Sequence, residues 1–203
     1  MAKILVVDDE PDLVLLVQLI LQRVGHEVIG ADGGQEALEK LKETRPDLIL
    51  LDLMMPKLDG WQTLELIRGH EEFKDIPVAM LTAKVLTPEI IRKTEIGELV
   101  DYIQKPFTKG DLVEKVTAIL EHLERIAYCK SRLAPMVGNP ATLEEYEALL
   151  KGERLHRRLL DILENSHESK EGEGLEDAIS TLRQGVDGFR NRIKEIENGL
   201  GKE

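Results

Sequence analysis

Short apolar runs alternate with stretches of helical period through the first two-thirds of the chain. Ile4–Val7, Leu48–Leu51, Ile76–Leu81 and Tyr102–Gln104 are runs of strand length, and His26–Ala31 is a fifth of mixed pattern. Near-continuous apolar runs suit strands buried on both faces. Between them apolar residues recur every three or four positions: Leu13, Leu16, Val17, Ile20, Leu21 and Val24; Ala37, Leu38 and Leu41; Trp61, Leu64 and Ile67. Pro11 suits a first helical position and Gly25 a stop. Thr87-Pro88-Glu89 starts a fourth helix, and Thr108 caps a fifth at Asp111. Five strands alternating with five helices predict a doubly wound α/β domain with a parallel sheet of flavodoxin-like order 2-1-3-4-5.

Leu112, Val116, Ile119, Leu123 and Ile126 carry the fifth helix on, until Pro135, Gly138, Asn139 and Pro140 break the pattern. The expected division is a domain over 1–127, a linker over 128–140 and an all-α region over 141–203. Thr142-Leu143-Glu144-Glu145 opens a helix over about 142–164 with a capping-box pattern, which Gly152 threatens to interrupt. Residues 165–174 are polar. A last helix, about 174–199, carries heptads: Ile179, Val186, Ile193 and Leu200 at a, and Leu175, Leu182, Phe189 and Ile196 at d. Branched residues at a with Leu at d lean towards a parallel two-stranded coiled coil, with Arg192 and Glu197 placed to attract across it. Gly185 and Gly188 weaken that helix, and an antiparallel hairpin with helix 142–164 is the competing arrangement.

Each apolar run ends in a polar group of a different kind: Asp8-Asp9-Glu10, Asp52, Thr82 and Lys105. In an open parallel sheet these ends share one edge. Carboxylates gathered there repel one another by about 4 kcal/mol per pair at ~4 Å. A divalent cation relieves the repulsion, and oxygen donors suit Mg²⁺. A carboxylate facing it can act as a nucleophile towards phosphorus.

The ordered set Asp8-Asp9, Asp52, Thr82 and Lys105-Pro106-Phe107, with Met55-Pro56 and Asp59-Gly60 behind the central acid, resembles the receiver domain of two-component response regulators. The resemblance implies that Asp52 takes a phosphoryl group from the phosphohistidine of a sensor histidine kinase. It implies Mg²⁺ held by Asp9, Asp52 and the backbone carbonyl of Met54, with Asp8 acting through water. Thr82 and Lys105 would contact the phosphoryl group, and Tyr102 would swing inward with Thr82 to carry the signal. Met54 departs from the polar residue common at its position. No separate enzyme activity is implied beyond self-catalysed transfer and dephosphorylation.

The net charge of −12 divides into 16 basic against 24 acidic residues over 1–130 and 11 against 15 beyond. Neither part is basic, which disfavours nucleic acid and anionic membranes as partners. Cys129 is alone and no apolar run spans a bilayer, so a reducing cytoplasm is expected. The output expected is a protein–protein contact or a homodimer through the C-terminal helices. A transcription regulator with an atypical helical DNA-binding domain, using Arg154, Arg157 and Arg158, is the alternative. A phosphorelay intermediate using His156 is another. His26, His70, His122 and His167 show no metal-ligand spacing.

Overall fold

The computed structural model describes residues 1–137, 139–165 and 174–200, with all their side chains except those of Thr94, Glu95 and Leu200. The elements are β1 (Lys3–Val7), α1 (Pro11–Gln22), β2 (Glu27–Ala31), α2 (Gly34–Glu43), β3 (Leu48–Leu51), α3 (Gly60–Gly69), β4 (Val78–Thr82), α4 (Pro88–Ile91), a short 3₁₀ turn (Thr94–Glu98), β5 (Asp101–Gln104), α5 (Lys109–Leu133), α6 (Pro140–Asn165) and α7 (Leu175–Leu200). The chain forms two compact units: Met1–Val85 with Asp101–Leu120, and Leu86–Val100 with the chain from Glu121 on.

The first unit is a five-stranded, all-parallel sheet in the order β2-β1-β3-β4-β5, as the alternating pattern predicts. β1, β3 and β4 read as unbroken apolar runs because their residues are buried on both faces of the sheet. The register makes the strand ends meet. Val7 pairs with Leu51, Leu51 with Met80, and Thr82 with Gln104, so Asp8, Asp52, Thr82 and Lys105 emerge at one edge.

Local chemistry also sets the turns. Gly25, at φ 92°, reverses the chain between α1 and β2 in a conformation that costs other residues energy. Asp59 caps α3 with a full capping box: its side chain accepts from Gln62 N at 2.8 Å, and Gln62 Oε1 accepts from Asp59 N at 3.0 Å. Gly60 follows because nothing larger fits. A Cβ there would stand 2.3 Å from the carbonyl oxygen of Asp52.

In the second unit, α6 and α7 pack against each other as a hairpin. Leu182, Val186 and Ile196 of the heptad stripe are buried, and Ile179, Phe189 and Ile193 are half-buried. α6 contributes buried Tyr146, Leu155, Leu159, Ile162 and Leu163. Ion pairs cross the hairpin in antiparallel order: Glu145–Arg192 at 2.6 Å, Glu153–Arg190 at 2.9 Å and Glu164–Arg183 at 2.7 Å. The attraction expected between Arg192 and Glu197 across two chains is satisfied within one, since Glu197 instead accepts from the Tyr146 hydroxyl at 2.8 Å.

Gly152 does not interrupt α6. It receives the Phe189 ring, and Gly185 receives the His156 ring: a Cβ at either glycine would stand under 3 Å from the ring. The glycines that weaken each helix on propensity thus let the two backbones approach. The division expected at 127/128 also differs. α5 runs unbroken to Leu133, so the first half of the expected linker is helix, and Lys130 near its end pairs with Glu147 of α6. The fourth helix is a single turn, ended where Lys93 takes an extended conformation before the 3₁₀ turn. Residues 166–173 of the polar stretch, with His167, Gly138 of the expected break and the side chain of Leu200 lie outside the described residues.

Candidate functional site

Asp8 and Asp52 stand one residue beyond paired strand ends, held there by ladder bonds from Asp8 N to Ala31 O (3.1 Å) and from Asp52 N to Val7 O (2.8 Å). Both side chains are almost wholly buried. Lys105 is anchored to the neighbouring strand by its N–H on Thr82 O at 2.8 Å. Its ammonium donates to Asp8 Oδ2 at 2.5 Å and to Asp52 Oδ1 at 3.1 Å. The remaining oxygens are also engaged: Asp8 Oδ1 accepts from Glu10 N at 3.0 Å, and Asp52 Oδ2 from Met54 N at 2.7 Å. Asp9 is exposed, yet a carboxylate oxygen of Asp8, Asp9 and Asp52 each lies within 4.8 Å of the other two.

Burial raises the Asp8 carboxyl above its usual range, opposed by the bond from Lys105. Burial alone would lower Lys105, but hydrogen bonds and charge from Asp8 and Asp52 outweigh it and hold the ammonium above its ordinary value. The site therefore sets two buried acids and one exposed acid against a single amine. All three acids offer hard oxygen donors close enough to share one cation, and Asp9 opens to solvent, which suits an ion that keeps several waters.

Thr82 is fully buried, and its Oγ1 accepts from Lys84 N at 3.1 Å. Tyr102, also fully buried, donates from its hydroxyl to Lys84 O at 2.8 Å. Burial, with the charge of Asp52 adding to it, raises the Tyr102 phenol, so the hydroxyl stays a donor. The two residues expected to move together grip opposite ends of one residue, Lys84. The aromatic ring already lies inward. Sequence reasoning missed Lys84 because its contribution is entirely backbone, which leaves no side-chain signature. Met54 is exposed, beside the acid whose carboxylate its N–H holds.

The response regulator receiver domain model matches residues 4–117, more than half of the chain, at positions that include the whole acid–hydroxyl–amine set.

This protein belongs to the response regulator receiver family.

The receiver is 43% identical over 122 residues to the alkaline phosphatase synthesis transcriptional regulatory protein PhoP of Bacillus subtilis, an alignment covering 60% of this chain and 50% of PhoP. It is 34% identical over 157 residues to the DNA-binding dual master transcriptional regulator RpaA of Synechocystis, covering 76% of this chain and 65% of RpaA. The chain spans about half the length of several curated relatives it matches. Among solved structures, the response regulator TrrA of Thermotoga maritima, in complex with Mg²⁺ and beryllofluoride, superposes with a TM-score of 0.52 at 34% identity, covering 59% of this chain and 99% of TrrA. Receivers take their phosphoryl group from sensor histidine kinases, and they bind Mg²⁺ at an acidic pocket of the kind that Asp8, Asp9 and Asp52 form here. PhoP and RpaA are transcription regulators, so the comparisons lend no support to setting nucleic acid aside on net charge alone.

The basic and histidine candidates of α6 sit among other groups. Arg157 pairs with Glu153, and Arg158 with Asp161 at 2.7 Å, while Arg154 lies close enough to His122 to lower its pKa. His156 is half-buried between α6 and α7, its Nδ1 3.0 Å from Gly152 O and its ring edge-on to Phe189 at 4.9 Å. Burial lowers its pKa against the pull of that carbonyl. No helix among the described residues is long and apolar enough to cross a membrane.

Proposed function

We propose that this receiver is phosphorylated on Asp52 by a sensor histidine kinase and hands the change to its C-terminal helices, which act by protein–protein contact. The carrying observation is the Asp52 carboxylate, held at a sheet edge with Lys105 and two further acids around it. Asp8, Asp9, Asp52 and the carbonyl of Met54 would hold Mg²⁺, which neutralises charge on a phosphoryl group as it transfers. Lys105 is placed to leave Asp8 for a phosphoryl oxygen, and Thr82 to offer its hydroxyl. A buried Tyr102 bonded to Lys84 means that any shift of Thr82 is felt at the segment leading into α4. The chain acts as a cytoplasmic phosphoacceptor, with no turnover beyond its own phosphorylation and dephosphorylation.

The charge pairing and packing on α6 favour a protein-contact output over the alternatives. Among the described residues, Arg157 and Arg158 each pair with an acid of their own helix, which weighs against their serving as free contacts to a DNA groove. His156 is a packing residue by its setting rather than an exposed phosphoryl carrier. The names of PhoP and RpaA favour transcription control as the second reading. Light scattering on the full chain with Mg²⁺, with and without beryllofluoride, tests the main reading alongside an Asp52→Asn variant. A mass change or partner recruitment that depends on Asp52 supports it. Asp52-dependent retention of duplex DNA would transfer the output to the second reading.

A further inference from the structure

The α4 segment, which follows the Thr82–Lys84–Tyr102 cluster, belongs to the helical unit. Leu86–Val100 groups with the chain from Glu121 on, and α4 packs on α7. The contact has a specific seat. Gly174 accepts from Ala178 N and so caps α7, and a Cβ at Gly174 would stand 2.6 Å from Arg92 Nη2. The guanidinium of Arg92, at the end of α4, therefore lies on the bare backbone where α7 begins. Asp177 in the first turn of α7 meets the same nitrogen at 3.5 Å. Asp177 and Glu176 also suit the positive end of the helix, so Asp177 holds Arg92 and stabilises α7 at once.

We infer that Arg92, Gly174 and Asp177 form a latch between α4 and α7, which phosphorylation of Asp52 releases. The inference rests on the receiver reading above. Thr82 bonds Lys84 N and Tyr102 bonds Lys84 O, so a Thr82 drawn towards Asp52 displaces the peptide two residues ahead of Leu86. The Arg92–Asp177 pair is exposed and long, and exposed pairs of this kind are weak. A small shift of α4 is enough to break it. The released element is the first turn of α7, whose helix has its own partner in α6. Linkage then requires the converse: weakening the latch favours the phosphorylated form, by no more than about fivefold for a contact of this strength.

Hydrogen exchange of residues 175–181 tests the latch on the full chain with Mg²⁺, with and without beryllofluoride, while calorimetry on the same samples measures binding of the mimic. In the native protein, exchange of this turn should rise when the mimic binds. In Arg92→Glu, which sets like charges together, it should be fast from the start and unresponsive, and the mimic should bind up to about fivefold tighter. Arg92→Glu combined with Asp177→Arg should restore the native response, which separates lost pairing from general damage to the fold. If the mimic binds through Asp52 and exchange of the turn does not change, the latch is wrong and the receiver reading stands. If no binding depends on Asp52, the receiver reading falls and the latch with it.

Discussion

Replacing Lys105 with Met removes the amine from the acid cluster while keeping most of the side chain's length. Lys105 Nζ lies 2.5 Å from Asp8 and 3.1 Å from Asp52, and both acids are buried. With the amine gone, two carboxylates within 4.8 Å of each other repel by about 3.5 kcal/mol at an effective dielectric near 20. Each also loses a charge-assisted hydrogen bond. Removing one partner from a buried pair costs about 3–5 kcal/mol, so Lys105→Met should lower metal-free stability at neutral pH by that much. Two further results follow from the same physics. Mg²⁺ should stabilise the variant more than the native protein, because the cation takes over the neutralisation that Lys105 supplies. Acidification should also recover part of the loss. A carboxyl whose pKa is raised in the folded state takes up a proton on folding, so stability returns as pH falls through that pKa. Urea unfolding followed by circular dichroism at two pH values, with Mg²⁺ or with a chelator, measures all three effects. A variant with the native urea midpoint in chelator, and no larger gain from Mg²⁺, would refute the cluster as a charge-frustrated site.

Three further outcomes follow from the packing. Gly60→Ala places a Cβ 2.3 Å from the backbone of Asp52, which cannot rotate away, so it should cost about 1–3 kcal/mol and slow labelling of Asp52 by a small phosphodonor. Gly152→Ala brings a methyl to 2.8 Å from Phe189, so chemical denaturation should show a net loss despite the helix propensity gained, with Phe189→Leu restoring the double variant. Burial first, then the charges of Arg154 and Arg125, lowers the His122 pKa from 6.5 to about 4, against the pull of the Leu150 carbonyl and Glu153. The unfolded chain therefore binds a proton that the folded chain does not. Stability is complete above pH ~6.5 and is lost as pH falls towards 4, by about 2–3 kcal/mol, and His122→Gln should flatten that part of the profile in thermal melts.

The α/β fold and its acid edge were legible because period and polarity agree there. Buried parallel strands leave unbroken apolar runs, and each run ends in a chemically distinct group that only a shared edge explains. The helical region was half legible. Residues 175–200 show that a partner helix exists, but heptad spacing is the same whether that partner is α6 or a second chain. What decides it is Gly152 beneath Phe189 and Gly185 beneath His156, two reciprocal notches that read in isolation as weak helix. The length of α5 was visible in its spacing through Ile126, and its end at Leu133, two residues before Pro135, follows from the proline that breaks the pattern. The role of Lys84 had no trace in the sequence, since any residue supplies its N–H and C=O.

Mass spectrometry of the full chain after incubation with acetyl phosphate and Mg²⁺, with peptide mapping, tests the central claim most directly. The account predicts one phosphoryl group, removable by hydroxylamine, mapped to Asp52, and none on an Asp52→Asn variant that keeps the native circular dichroism. A phosphoryl group that persists undiminished in that variant, or maps to His156, would contradict it.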